Sequence, residues 1–183
     1  MSALRYPEIY AELTSHAKDP VSAIKVNAHL VRREGGLDLS FNVAGPGLKV
    51  TALADLKRGE LWKHTCFEIF ARLPGRADYW EWNFSPAGRW DLFAFSDYRT
   101  RLMEFRADDG GVKSLAWDGS RLAARIESPP SPSLDWALRT GERIEWNVTS
   151  VLELTDGKVL YRAVKHPAEK PDFHDARGFV TSL

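Results

Sequence analysis

A hairpin predicted in the middle of the chain carries the residues best suited to chemistry. Residues 61–71 and 79–85 both alternate between two faces, as the side chains of a strand do. The register that pairs their apolar side chains places residue 68 opposite residue 83, and residue 70 opposite residue 81. The side chains that this register gathers on the other face include Trp62, His64, Glu68, Glu81 and Asn83.

This mixture of side chains suits a hydroxyl-rich ligand. Aromatic rings stack on the C–H faces of a sugar, while carboxylate, amide and imidazole groups form hydrogen bonds with its hydroxyls. Facing side chains in a hairpin lie about 4.5–5.5 Å apart at Cβ, so one small ligand can contact several of them. We therefore predict non-catalytic binding of a carbohydrate or sugar derivative. The alternative is the ordinary solvated face of an antiparallel sheet, which needs no ligand.

Two other stretches contribute candidate ligand-binding residues. Tyr98 and Arg99 follow an aromatic strand, and a guanidinium at that place can pair with a carboxylate or bind an anionic ligand group. Residues 166–175 form a proline-stiffened, non-helical segment of the kind that caps a site, and its candidates are His166, Asp172 and His174. Metal ligation by imidazole and carboxylate is the alternative. The two histidines lie eight residues apart on a loop, so hydrogen bonds to the backbone are favoured and no metal site is predicted.

Catalysis is the less favoured interpretation. Glu68 and Glu81 would suit a glycan-acting hydrolase if their carboxyl groups lay about 5–5.5 or 6.5–9.5 Å apart. Ser85 lacks the glycine two positions earlier that a nucleophile elbow needs. Residues 45–47 (Gly-Pro-Gly) lack the Lys-Ser/Thr that completes a phosphate-binding loop. We predict no catalytic residue.

Composition limits the classes of protein that fit. The 183 residues contain 25 Lys+Arg and 25 Asp+Glu, and this zero net charge argues against a nucleic-acid partner. No apolar run reaches the ~18 residues that span a bilayer, and residues 1–20 contain no apolar signal region. Cys66 is the single cysteine, so no internal disulfide forms. These features predict a cytoplasmic protein with one domain over residues 1–183 and leave its oligomeric state open.

Apolar alternation with a period of two, interrupted by turns every 8–12 residues or so, predicts an all-β fold. We expect a jelly-roll-like sandwich of two antiparallel sheets. Residues 1–20 would be an N-terminal extension in which residues 8–14 are compatible with a short helix, and residues 128–132 would be a loop. The predicted strands are residues 23–31, 37–43, 61–71, 79–85, 90–95, 111–117, 121–128, 142–149 and 158–165.

Several motifs resemble those of a known family. LWKHTCFEIF at residues 61–70 and YWEWNFSPAGRW at residues 79–90 resemble the signature of bacterial DOMON-like proteins. These are relatives of DOMON domains and of family-9 carbohydrate-binding modules. Tyr98-Arg99 and residues 166–174 fit the same pattern, so the resemblance covers residues 23–183. It implies a β-sandwich without catalytic machinery, in a superfamily whose members bind haem or sugars.

The chain departs from this family pattern in ways that bear on the ligand. Family-like chains often open with His-Pro, whereas Ala17 follows His16 here. Haem-binding DOMON domains use a Met and a His as axial ligands, and Met103 and His166 have that order in the chain without a motif around them. Haem is the alternative ligand on this basis, and no other cofactor is expected. Sugar-binding relatives clamp their ligand between two Trp, for which Trp62 is the best candidate.

Overall fold

The computed structural model describes residues 7–20, 22–104, 111–129 and 131–182. Within these ranges the chain forms twelve β-strands, one α-helix and three short 3-10 helices. The strands are β1 (Glu8–Ser15), β2 (Lys25–Arg33), β3 (Gly36–Ala44), β4 (Cys66–Arg72), β5 (Tyr79–Phe84), β6 (Trp90–Asp97), β7 (Thr100–Glu104), β8 (Val112–Trp117), β9 (Arg121–Glu127), β10 (Glu145–Glu153), β11 (Val159–Ala163) and β12 (Thr181–Ser182). The helix α1 spans Pro132–Thr140, and the 3-10 helices span Leu53–Asp55, Leu61–Lys63 and Ala176–Gly178.

The strands pair antiparallel in the order β7-β6-β5-β4-β10-β11-β1-β2-β3-β9-β8, and β12 pairs with β10. Strand β1 links two groups of strands. Its residues Glu8–Leu13 pair with β2, and its last two residues, Thr14 and Ser15, pair with β11. We call β4–β7 with β10–β12 the first half of the sheet, and β2, β3, β8 and β9 the second half.

Side chains from both halves meet in one hydrophobic core. The ring centroid of Phe67 on β4 lies 5.0 Å from that of Phe41 on β3 and 6.0 Å from that of Trp117 on β8. Trp82 and Trp146 are buried in the same core. Removing such large rings from water is the main favourable term in folding. The mostly β, antiparallel architecture predicted from the alternation is confirmed, and each of the nine predicted strands corresponds to an observed strand.

Strands β4 and β5 are buried on both faces. Every residue of β5 is buried, as is every residue of β4 except the partly exposed Arg72. The face turned away from the main core is covered by a second apolar cluster, to which the C-terminal segment contributes Phe173 and Phe179. The polar residues of the central hairpin therefore do not lie on an ordinary solvated sheet surface. We call residues 166–179 the covering segment.

The covering segment is fastened to the sheet through a buried amide. Asn147 on β10 donates a hydrogen bond from Nδ2 to the carbonyl oxygen of Phe173, at 2.8 Å. Gly178 packs against the same amide, because a Cβ at this position would lie 2.8 Å from Asn147 Nδ2. At this point the segment is held by the Asn147 amide and by the absence of a side chain at Gly178.

Two local predictions are wrong. Residues 8–14 form strand β1 rather than a helix, because Ile9 and Leu13 point into the core and the backbone pairs with β2. Residues 61–63 form a 3-10 helix, so the strand expected from Leu61 begins at Cys66. In both places contacts with distant parts of the chain outweigh the local pattern.

Helix α1 begins inside the predicted proline loop. The hydroxyl of Ser131 accepts a hydrogen bond from the backbone N–H of Leu134 at 3.2 Å, and Pro132 is the first helical residue. Gly141 ends the helix with φ 83°, a left-handed conformation that suits glycine. Pro130 lies outside the described residues. None of the helices in the described ranges is long and apolar enough to cross a bilayer.

The Asn147 contact leads to a stability prediction. We expect Asn147→Ala to lower the free energy of unfolding by about 1–3 kcal/mol, because the buried carbonyl of Phe173 loses its donor. Asn42→Ala is the matched control, since Asn42 lies exposed on β3. Urea denaturation measures both changes, and equal losses in the two variants would contradict this account of the covering segment.

Candidate functional site

The pairing of β4 with β5 places two acids on the covered face of the sheet. Glu68 pairs with Asn83 and Phe70 pairs with Glu81, which is the register expected from the sequence. Asn83 donates from Nδ2 to Glu81 Oε1 at 2.7 Å, and the hydroxyl of Thr149 on β10 donates to Glu68 Oε2 at 3.0 Å. These bonds engage one oxygen of each carboxyl group.

Glu68 and Glu81 line a cleft of about 700 Å³ between the sheet and the covering segment. Both are deeply buried, with exposed fractions of 2% and 5%, so they form its floor. We call it the carboxyl cleft. The aromatic residues that line it are Trp62, Phe70, Phe95, Tyr161 and Phe173. Its volume lies within the range of small-molecule sites.

Burial favours the neutral form of both carboxyl groups. It raises the pKa of Glu68 well above the usual value, and the nearby charge of Glu81 acts in the same direction. It raises the pKa of Glu81 to about 7, although the hydrogen bond from Asn83 and the charges of Arg101 and Arg99 oppose this shift. A protonated carboxyl has one O–H donor besides its acceptor oxygens, so the floor can both donate to and accept from a ligand.

His174 lines the cleft and is held by the hydroxyl of Tyr79. Its Nδ1 lies 2.7 Å from the Tyr79 hydroxyl, and the backbone N–H of Arg99 donates to that same hydroxyl oxygen at 3.1 Å. We assign the Tyr79 hydroxyl as the donor to Nδ1, since its oxygen already accepts from Arg99, and this assignment leaves the proton of the neutral imidazole on Nε2, 3.7 Å from Glu81 Oε2. Burial lowers the pKa of His174 to about 4, so the ring is neutral near neutral pH.

A second polar cluster ties the β6–β7 turn to the covering segment. Asp172 accepts from the Tyr98 hydroxyl at 2.6 Å, from Arg99 Nη2 at 2.9 Å and from the backbone N–H of His174 at 3.1 Å. Burial alone would raise the pKa of Asp172, but the hydrogen bonds from Tyr98 and Arg99 outweigh it and lower the pKa below the usual value. Arg99 adopts φ 52°, which non-glycine residues rarely do. The cluster holds the Arg99 side chain beside the cleft.

The structure does not bring every candidate residue to the cleft. His64 lies before the start of β4, where its Nδ1 is 3.2 Å from Glu153 Oε2. His64 does not line the cleft, because its ring contacts Glu153 instead, and its part in ligand binding stays a prediction. His166 also lies outside the cleft, with Nε2 donating to the Thr14 carbonyl at 3.0 Å. Asn83 does not line the cleft, but its amide donates a hydrogen bond to the carboxyl group of Glu81.

Sequence reasoning missed Arg101, which lines the cleft from β7. Its guanidinium carbon lies 4.1 Å from the ring centroid of Phe93 and 6.0 Å from that of Phe95. A five-residue strand at the edge of a sheet has little alternation to detect, so β7 was not predicted. The signal available was the cluster of arginines and aromatic residues over residues 93–101.

The histidine named for the haem alternative does not line the cleft. His166 uses Nε2 in the bond with Thr14 and does not line the cleft, while His174 lines it with Nδ1 held by Tyr79. The side chain of Met103 lies outside what the structure describes. Over the described ranges, no group of three or more His, Cys, Asp or Glu side chains could hold a metal ion.

The fold is similar to that of a solved protein from Bacteroides uniformis, a proposed carbohydrate-binding protein. The two chains share 16% identity with a TM-score of 0.70, and the match covers 93% of this chain and 84% of the other. At this level of identity the likeness shows the fold alone. No protein-family model and no curated protein matches the sequence.

The raised pKa of Glu81 predicts how stability depends on pH. Between its usual value of 4.5 and about 7, the folded state binds more protons at this carboxyl than the unfolded state does, so stability falls as pH rises through that range. We expect Glu81→Gln to remove this loss. From pH 4 to pH 8, the difference in free energy of unfolding between variant and wild type should shift in favour of the variant by up to about 3 kcal/mol. His174 acts in the opposite direction, but it is present in both proteins and largely cancels.

Denaturant unfolding at a series of pH values measures this difference. Glu12→Gln is the control, because Glu12 is exposed on β1 and the same substitution there should leave the pH profile unchanged. Parallel profiles for wild type and Glu81→Gln would contradict the burial of an acid with a raised pKa.

Proposed function

We propose that this protein binds a small carbohydrate in the carboxyl cleft without chemically changing it. The observation that carries the proposal is a pair of buried carboxyl groups, Glu68 and Glu81, facing an aromatic-lined cleft of about 700 Å³. Such a volume suits one or two sugar rings. The cytoplasmic location expected from the sequence favours a soluble monosaccharide or sugar derivative over an insoluble polymer.

The lining supplies both kinds of contact that a sugar needs. The rings of Trp62 and Phe173 offer apolar surfaces for the C–H faces of a pyranose. At the floor, the protonated carboxyls can donate to one hydroxyl and accept from another. Because Asn83 and Thr149 already hold these carboxyl groups in place, binding would immobilise few additional side chains.

The electrostatics of the floor favour binding over hydrolysis. A glycosidase needs one carboxyl as an acid and a second, ionised carboxylate as base or nucleophile. Burial raises the pKa of Glu68 well above its usual value and that of Glu81 to about 7, so below pH 7 both carboxyl groups favour the neutral form and the second role lacks its ionised carboxylate. We therefore propose that the cleft binds a sugar without cleaving it, so an experiment on this site must also look for hydrolysis.

We further propose that the two halves of the sheet form a jelly-roll-like, two-layer sandwich of the DOMON-like kind. The shared core between Phe41 and Phe67 supports two packed layers. The similarity in fold to the Bacteroides uniformis protein supports a relationship with carbohydrate-binding domains.

The proposal predicts a specific role for Trp62. Its side chain lines the cleft and is 46% exposed, so Trp62→Ala should weaken sugar binding about tenfold while the fold is retained. Trp136→Ala is the matched control, since Trp136 is 56% exposed on α1 and does not line the cleft. Isothermal titration calorimetry against a panel of mono- and disaccharides measures both. If no sugar in the panel binds the wild type, the proposed function is wrong.

Two substitutions of Glu81 separate binding from hydrolysis. At pH 6 a protonated Glu81 is closely mimicked by glutamine, so Glu81→Gln should keep most of the affinity, whereas Glu81→Ala removes the hydrogen-bonding groups and should weaken binding about tenfold or more. Calorimetry gives the affinities, and chromatography of the incubated sugars detects any cleavage. Release of a cleaved product by wild type that is lost in Glu81→Gln would establish a hydrolase and reject the binding-only proposal.

A further inference from the structure

We infer that the sugar bound in the carboxyl cleft carries a primary amine, and that its ammonium group binds between Glu68 and Glu81. This inference rests on the proposed carbohydrate function and adds the chemical class of the sugar. It is supported by the placement of the two acids, by the surplus of hydrogen-bond acceptors around them, and by the lack of a cationic partner for either acid among the described residues.

The two acids lie on neighbouring strands and line the same cleft. Glu68 on β4 pairs with Asn83 on β5, and Glu81 lies two residues before Asn83, so the acids are diagonal neighbours on one face. Diagonal neighbours in an antiparallel pair lie about 7–8 Å apart. Both acids line the cleft although each is more than nine-tenths buried. One small cation at the floor can therefore contact both carboxyl groups.

Hydrogen-bond acceptors outnumber donors around the floor. The amide of Asn83 donates to Glu81 Oε1, and the hydroxyl of Thr149 donates to Glu68 Oε2. Glu81 Oε2 receives no hydrogen bond from the described residues, and His174 Nε2 lies 3.7 Å from it. The oxygen of the Asn83 amide is buried and has no partner in the described part of the chain. An ammonium group has three N–H donors and no acceptor, whereas a hydroxyl has one donor, so an amine suits this floor better.

Cationic side chains at the edge of the cleft are paired away from its floor. Arg99 Nη2 forms an ion pair with Asp172 at 2.9 Å, and Lys63 Nζ forms one with Glu60 at 2.8 Å. Within the described ranges, no lysine or arginine forms an ion pair with either floor acid. An ionised carboxylate removed from water is unfavourable without such a partner. The ammonium group of a ligand would supply it.

Binding of an ammonium group at this floor releases one proton. Burial raises the pKa of Glu81 to about 7 and that of Glu68 well above its usual value, so both favour the protonated form below pH 7. Glu81 is the acid that ionises, because the charges of Arg101 and Arg99 favour its carboxylate. Its proton goes to solvent and its carboxylate pairs with the ammonium, while Glu68 keeps its proton. The floor and the bound ammonium are then electrically neutral together.

Other charged or titratable groups face the two acids from the surrounding elements. They are Cys66 on β4, Tyr79 on β5, Asp91 on β6, Arg99 in the β6–β7 turn, Arg101 on β7 and His174 on the covering segment. Burial raises the pKa of the Cys66 thiol, raises that of Tyr79 to about 12 and lowers that of His174 to about 4. These three groups therefore keep their protonation state between pH 5 and pH 7, and the arginines stay charged.

The first test compares sugars that differ in the amine. Glucose, glucosamine and N-acetylglucosamine form one set, galactose, galactosamine and N-acetylgalactosamine form a second, and 6-amino-6-deoxyglucose places the amine on another carbon. Ethanolamine is the amine without a sugar ring. Calorimetry at pH 6 gives each affinity. We expect an amino sugar to bind at least tenfold more tightly than its neutral and N-acetylated counterparts, because only the amine adds charge-assisted hydrogen bonds.

The second test counts protons. Calorimetry in two buffers of different ionisation enthalpy gives the number of protons released on binding. We expect about one proton at pH 6 for the amino sugar and none for a neutral sugar, and the affinity for the amino sugar should rise by up to about tenfold per pH unit between pH 5 and pH 6.5. An amino sugar that binds tightly without releasing a proton would overturn its pairing with the floor acids.

Substitution of Glu81 tests which group receives the amine. Glu81→Gln cannot form the carboxylate, so at pH 6 it should bind the amino sugar about 10- to 100-fold more weakly and release fewer protons, while most of the affinity for a neutral sugar is retained. Glu12→Gln is the control, since Glu12 lies partly exposed on β1 and does not line the cleft. Circular dichroism verifies that each variant is folded. A preference for the amine that persists in Glu81→Gln would overturn the role of Glu81.

The remaining outcomes separate this inference from the proposal beneath it. Neutral or N-acetylated sugars that bind as tightly as the amino sugars would overturn the inference and leave carbohydrate binding intact. Ethanolamine that binds as tightly as the amino sugars would show an amine site without sugar recognition, which rejects both. If no sugar of either kind binds, the inference and the proposed function fail together.

Discussion

The burial of two carboxyl groups between a sheet and the segment that covers it is the constraint on which the rest of the structure depends. Removing Glu68 and Glu81 from water is unfavourable unless they are hydrogen-bonded or neutral, and the chain provides for both. Thr149 and Asn83 each donate to one carboxyl, while burial raises the pKa of both. An ordinary core position would hold an apolar side chain here, so the acids point to a role outside folding.

The covering segment turns a sheet face into a cleft, and it is held by contacts from widely separated parts of the chain. His166 bonds to β1, Phe173 is held by Asn147 on β10, and Asp172 binds Arg99 from the β6–β7 turn. Each contact joins residues that are far apart in sequence, so the cleft forms only when the sheet is complete. A site assembled in this way has its shape before a ligand binds, which lowers the entropic cost of binding.

Charge in the cleft is arranged by depth. The floor acids are buried, and burial raises the pKa of both, whereas Arg99 and Arg101 are exposed, the first paired with Asp172 and the second lying over the ring of Phe93. His174 lies between the two levels and is neutral because burial lowers its pKa. This order places the buried carboxyl groups and the imidazole deep in the cleft and the positively charged side chains at its exposed edge.

The sequence by itself determined that residues around 66–71 and 79–84 form a hairpin and in which register, because a period of two is a local property and a slip by one residue would turn Phe67 and Trp82 out of the main core. Tertiary structure alone decided that residues 8–14 extend the sheet, that His64 contacts Glu153 rather than lining the cleft, and that Arg101 lines it. Alternation assigns side chains to two faces, but it does not say what covers them. That depends on contacts between residues distant in the chain, which for this protein turned a polar strand face into an enclosed cleft.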